Sequence, residues 1–111
     1  MPMDAETNFK AVAENWFSVM NNYYADMAAT KTAEQAKAVE DNYRAAEKAY
    51  LDAVAAGLAG AGMSGALKAL QDANAAVKKS REASEAIGKL LVKAKDATEK
   101  ATKLVEKAGG R

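Results

Sequence analysis

Proline occurs only at position 2, and four of the seven glycines fall within nine residues, Gly57-Leu58-Ala59-Gly60-Ala61-Gly62-Met63-Ser64-Gly65. Each glycine inside a helix costs about 1 kcal/mol relative to alanine, so this cluster is where a helical chain would turn. Elsewhere little interrupts a helix, and no run alternates apolar and polar residues with the period of two that a half-buried strand requires. The chain is therefore expected to be all-α: an antiparallel helical hairpin or three-helix bundle with a long Ala-rich C-terminal helix. A length of 111 residues allows one domain. Helices are expected near 5–29, 33–56 and 65–108, with the Gly-rich turn at 57–65.

The long C-terminal helix carries the clearest pattern. Ala66, Leu70, Ala73, Val77, Ser80, Ser84 and Ile87 follow at alternating steps of four and three, and the row continues to Val105 and Ala108 without a charge. A neighbouring row from Ala69 to Leu104 repeats every seven residues and widens the stripe to the breadth of a bundle helix. Alanine supplies 28 of 111 residues, whereas Val, Ile, Leu and Phe together number 17. Helices so composed can approach toward the low end of the ~8–10 Å interaxial range, and their core is thin.

Local signals mark the helix ends. Thr32 followed by Gln35 reads as a capping box that starts the second helix, and Ser64 reads as an N-cap for the third. Ala108-Gly109-Gly110-Arg111 ends that helix. If the chain folds back about Ala61, the region opposite Thr32 lies close to Gly88, so Gly57, Gly60, Gly62, Gly65 and Gly88 are the candidate hinge and turn positions. Two readings of Gly88 stand side by side: half of a paired joint, or a glycine on the solvent side of the helix.

Charge divides the chain. Residues 1–56 carry 5 basic and 9 acidic groups and residues 57–111 carry 11 and 6, giving −4 and +5. Lys79, Lys93, Lys100 and Lys107 share one heptad position as a basic stripe, and Glu40 and Glu47 flank the seam of the second helix, so an antiparallel arrangement is expected to pair some of them. Exposed pairs contribute only about 0–1 kcal/mol, which suits them to choosing register. Nucleic acid is disfavoured as a partner, because Glu85, Glu99 and Glu106 interleave with the lysines and no aromatic follows Tyr50.

The chain contains neither His nor Cys, which excludes imidazole bases, thiol nucleophiles, Cys/His zinc sites and disulfides. No phosphate-binding loop, dinucleotide fingerprint or calcium-loop pattern is present. No enzyme activity, cofactor or metal is expected. The acidic start, Met1-Pro2-Met3-Asp4-Ala5-Glu6, lacks a secretory signal, so cytoplasmic residence is the default and leaderless export is left open. The uncharged stretch between Asp52 and Lys68 spans 15 residues, short of the ~20 needed to cross a bilayer.

Five of seven aromatics, Phe9, Trp16, Phe17, Tyr23 and Tyr24, lie in the first helix together with Met20 and Met27. They can fill the core that alanine leaves thin, or they can form an interface. Phe17, Tyr24, Trp16 and Tyr23 are the candidate interface residues, with Phe17 and Tyr24, seven apart on a face adjacent to that of Trp16 and Tyr23, as the candidate anchors for a protein partner. The functional expectation is a non-enzymatic structural or regulatory protein acting through protein–protein association, with a homo-oligomer foremost. The alternative is a secretion-associated or membrane-active hairpin using its Gly-rich tip.

In length and in its helix, Gly turn, helix plan the chain resembles the WXG100 family, the small hairpin substrates of specialised secretion systems. That family's Trp-x-Gly lies in the turn, whereas the sole Trp here is Trp16 and the turn reads Gly57-Leu58-Ala59-Gly60. The stretch Lys93-Ala94-Lys95-Asp96-Ala97-Thr98-Glu99-Lys100 resembles desiccation-protective helical repeats, from whose composition the aromatic first helix departs.

Overall fold

The computed structural model describes residues 3–57 and 64–109, and these form four helices: α1 (Met3–Ala29), α2 (Ala33–Ala56), α3 (Ser64–Glu82) and α4 (Ile87–Gly109). Thr30 closes α1 by donating both its N–H and its hydroxyl to the Met27 carbonyl, at 3.2 and 2.7 Å. Thr32, in an extended conformation, caps α2, its Oγ1 accepting from the Gln35 N–H at 3.1 Å. Gln35 Oε1 in turn accepts from the N–H of Lys31 at 2.7 Å, one residue before the donor of an ideal capping box. At the far end of α2, Gly57 takes the left-handed conformation (φ 79°) and bonds back to the Ala53 carbonyl.

The expected single helix over 65–108 is two helices, and the bundle therefore has four helices in place of three. The chain reverses at residues 83–86 without a glycine. Ser84 has φ 54°, the one positive value for a non-glycine among the described residues. Glu85 N–H bonds to the Ser80 carbonyl and Ser84 N–H to the Arg81 carbonyl, both at 3.1 Å, which is the double bond pattern of a Schellman C-cap. The Ser80 hydroxyl and Lys93 Nζ both donate to the same oxygen of the Glu85 carboxylate. Lys93 first, then Ser80, hold that carboxyl below the usual carboxylate range. Its contribution is thus present above the ordinary carboxylate pKa and is lost as pH falls through the lowered one. Gly88 is the second residue of α4, outside the reversal, and faces Gln35 of α2 across ordinary van der Waals distance. Gly65 likewise lies within α3, and Gly60 and Gly62 fall outside the described residues.

Two antiparallel hairpins result, α1–α2 and α3–α4. α2 lies beside α4 and α1 beside α3, α1 also touches α4 across the centre, and among the described residues α2 and α3 do not meet. The whole measures 44 × 23 × 18 Å. Leu70, Leu104 and Val12 fill the interior near one end, where Ala53 and Ala101 are fully buried between them. Ala73, Val77, Ile87, Leu90, Ala94 and Ala97 join α3 to α4. Alanine at zero exposure in α2 and α4, as at Ala46, Ala53, Ala97 and Ala101, is what lets these backbones close up.

Two substitutions check where the reversal lies. Ser84→Gly removes a left-handed side-chain penalty and is expected to raise unfolding free energy by about 0.5–1 kcal/mol after the added freedom of the unfolded chain is counted. Gly88→Ala, at a helical position with room for a Cβ, is expected to raise it by about 0.5–1 kcal/mol. Urea denaturation followed by circular dichroism measures both; a loss of stability at Gly88 would place a hinge there instead.

Candidate interaction surface

The α1–α2 seam is built from rings. Tyr50 of α2 sits among Phe9, Trp16 and Phe17 at centroid distances of 5.5, 6.3 and 5.7 Å. Two helical turns back, Tyr43 meets Trp16 edge-on at 5.1 Å and Tyr23 at 4.7 Å, and Tyr24 stands edge-on against Tyr23 at 5.3 Å. All seven aromatic side chains therefore form one contiguous band along the two helices. Such pairs contribute about 0.5–1.5 kcal/mol each beyond the area they bury.

The four aromatic residues proposed from sequence divide across this band. Trp16, only 7% exposed, packs with Val19 and Ala46 and belongs to the core. Tyr23 is half-buried, and its hydroxyl donates to Glu40, which also pairs with Arg44 at 2.8 Å. Phe17 and Tyr24 are 43% and 85% exposed, and Met20 between them is 39% exposed. Spacings of three and four residues put these side chains on one side of α1. On α2, Leu51 and Val54 are each 57% exposed, next to and one turn beyond Tyr50, against which Phe17 packs. Met20, grouped from the sequence with Trp16 and Tyr23, lies instead with Phe17 and Tyr24 on the exposed side; Leu51 and Val54 were not singled out, since nothing in the helix pattern says which flank of α2 a neighbour covers.

A second feature escaped the sequence reading altogether. Asn8, Asn15 and Asn22 repeat every seven residues along α1, the first two fully buried and the third half-buried. The flank of α1 that carries them meets α3. Asn74 Nδ2 donates to the Ala11 carbonyl at 3.0 Å, and Arg81 grips Asp26 through two bonds of 2.7 and 2.9 Å. Asn15 Nδ2 reaches Thr98 of α4 at 3.2 Å, while Asn15 Oδ1 and Arg81 Nε are buried without a partner. Charge pairs this well buried and bidentate hold geometry strongly.

The basic stripe is distributed differently from its expected pairing. Lys79 is on α3 and Lys93, Lys100 and Lys107 on α4, so the reversal separates the first from the rest. Lys93 pairs with Glu85 and Lys100 with Asp96, at 2.7 and 2.8 Å, and neither reaches Glu40 or Glu47. Among the described residues Lys79 and Lys107 form no ion pair. Between α2 and α4 runs an open groove of about 740 Å³ whose floor includes Ala38, Ala45 and Leu91 and whose walls carry both signs of charge. Between α1 and α3 a cleft of about 220 Å³ opens over Asn15 and Asn74.

No described helix is long and apolar enough to cross a membrane, and among the described residues no acidic cluster could hold a metal ion. No protein-family model matches the sequence, and neither the curated proteins nor the solved structures contain a match to it.

The hydrogen bond to Glu40, followed by burial and the Glu40 charge, pushes the Tyr23 phenol above the ordinary tyrosine value. A raised folded-state pKa means that this contribution is complete below about pH 10 and is lost as pH rises through the folded value. Ultraviolet titration of wild type against Tyr23→Phe is expected to show one late-titrating phenol that the variant lacks. Separately, Asp26→Ala is expected to cost about 3 kcal/mol by urea denaturation, because it leaves the Arg81 guanidinium buried without its counter-charge. The paired change Asp26→Leu with Arg81→Met should recover most of that loss.

Proposed function

We propose that this chain is a non-enzymatic helical protein that works by protein–protein association, with a second copy of itself as the partner, through the outer face of α1 and α2. The observation that carries the reading is the exposed row Phe17, Met20 and Tyr24 on α1, flanked by Leu51 and Val54 on α2. Tyrosine, phenylalanine and methionine are residue types enriched where protein surfaces meet. An i, i+3, i+7 row is also the pattern by which a helix presents anchors to a neighbour.

Anchors already rooted in a rigid ring band lose little side-chain freedom on docking, which is where much of the cost of association lies. No cofactor, metal or nucleic acid enters this reading.

Size exclusion with multi-angle light scattering over about a hundredfold range of concentration tests it. The wild-type mass is expected to rise with concentration. Phe17→Ser combined with Tyr24→Ser is expected to stay at monomer mass while keeping its helical circular dichroism. A wild type that stays monomeric throughout overturns the proposal.

A further inference from the structure

The reading above names a second copy as the partner but leaves open which of its surfaces receives the aromatic row. A symmetric contact would set α1–α2 against α1–α2; a head-to-tail contact would set it against another face. Charge separates the two. The α1–α2 half of the chain carries −4 and the α3–α4 half +5, so the symmetric contact brings like-charged hairpins together and the head-to-tail contact brings opposite ones.

The α3–α4 hairpin offers a face suited to the role. On α4, Leu91, Thr98 and Thr102 turn toward the groove shared with α2. Lys93, Lys100 and Lys107 lie on the other flank, where Lys93 meets Glu85 of the α3–α4 reversal. On α3, Asn74 and Arg81 face α1, so Ala69 and Ala76, both half-buried, lie on the opposite flank beside the lysine row. Small side chains there leave a shallow apolar strip, and lysine stems extend it. Because α1 neighbours α3 and α2 neighbours α4, this face and the aromatic face lie on opposite sides of the bundle.

The rows also share a period. Phe17 and Tyr24 are seven residues apart, and so are Lys93, Lys100 and Lys107, which sets both repeats at about 10.5 Å along the helix. We infer that the aromatic row of one copy docks on the lysine row of α4 in the next, with Lys100 and Lys107 over the exposed faces of Phe17 and Tyr24. An ammonium group over a ring is an attractive contact that strengthens as water is excluded. The Lys100 pair with Asp96 is exposed enough to rearrange at little cost. Since the two faces are different and opposed, the contact is heterologous and builds an open chain of copies rather than a closed pair.

This inference rests on the self-association proposed above, and a complementation experiment separates the two. One variant, Phe17→Ser with Tyr24→Ser, loses the aromatic face; the other, Lys100→Glu with Lys107→Glu, loses the basic face. Light scattering is expected to give monomers for each alone and a 1:1 heterodimer when they are mixed, because each supplies the face that the other lacks. Circular dichroism on each verifies the fold, and Lys100→Gln with Lys107→Gln replaces the second variant if the acidic one unfolds. For wild type, raising salt from about 50 to about 500 mM is expected to weaken association at least about tenfold. If the lysine variant associates as wild type does, the contact is symmetric and this inference fails while self-association stands. If wild type never associates, both fail together.

Discussion

A backbone reversal at residues 83–86, held by Ser84 in the left-handed conformation and by Ser80 and Lys93 converging on Glu85, decides which surfaces of the C-terminal half meet α1 and α2. Its necessity is a matter of length. α1, the longest helix of the N-terminal hairpin, has 27 residues, about 40 Å, and the molecule measures 44 Å along its longest axis. An unbroken helix from Ser64 to Gly109 would run about 69 Å. Close to half of its apolar row would then stand in water. Folding it back lets Leu70 and Leu104, from opposite ends of that stretch, meet beside Val12.

The alanine rows that make this packing close also make it undiscriminating. A shift of one heptad between two such rows sets alanine on alanine again, with little change in buried area. The polar contacts between α1 and α3 lack that degeneracy. Asn74 has one carbonyl to meet, that of Ala11, and Arg81 one buried carboxylate, Asp26, so a shifted register would strand a charge away from both water and its partner. That mistake costs several kcal/mol, far more than any single alanine contact gains. Polar groups in the interior therefore act here as the register of an otherwise slippery core, as a buried polar residue does in a coiled coil.

Which parts were legible in the sequence follows from whether a signal was local. Thr32, Gln35 and Gly57 form their caps with residues three or four positions away, and those helix ends could be read directly. The reversal at Ser84 is also local, but it uses no Gly or Pro, and the step of seven from Ser80 to Ile87 carries the apolar row across the gap in phase. Periodicity therefore hid it. Asn8, Asn15 and Asn22 repeat as regularly as any apolar row, yet a polar repeat resembles a solvated face until a partner helix covers it. Trp16 and Phe17 are adjacent and about equally bulky, and only the placement of α2 buries the first and exposes much of the second. The pairing of the lysines with Glu40 and Glu47 presupposes one long helix; once the chain folds back, Lys79 is on α3 and the other three on the flank of α4 away from α2, where Lys93 and Lys100 pair with Glu85 and Asp96.

The exposure of Phe17 and Tyr24 then has a physical origin in how bulk is allotted. α3 and α4 already bury Leu70, Val77, Ile87, Leu90, Leu104 and Val105, and a cross-section of 23 × 18 Å does not enclose all seven rings of α1 and α2 beside them. Trp16 takes the inner position, and Phe9, Tyr23, Tyr43 and Tyr50 stand half-buried at the edge. Phe17 and Tyr24 are left over. The same heptad position holds Lys10 seven residues earlier, fully at ease in solvent, so the backbone there places no demand for an apolar side chain. A monomer carrying polar residues at 17 and 24 would lose the ring contacts of Phe17 with Tyr50 and of Tyr24 with Tyr23, while the outward parts of both rings contribute nothing to its core. The proposed self-association covers the face they share with Met20, Leu51 and Val54, and the opposite charges of the two halves suit the basic hairpin to that proposed role.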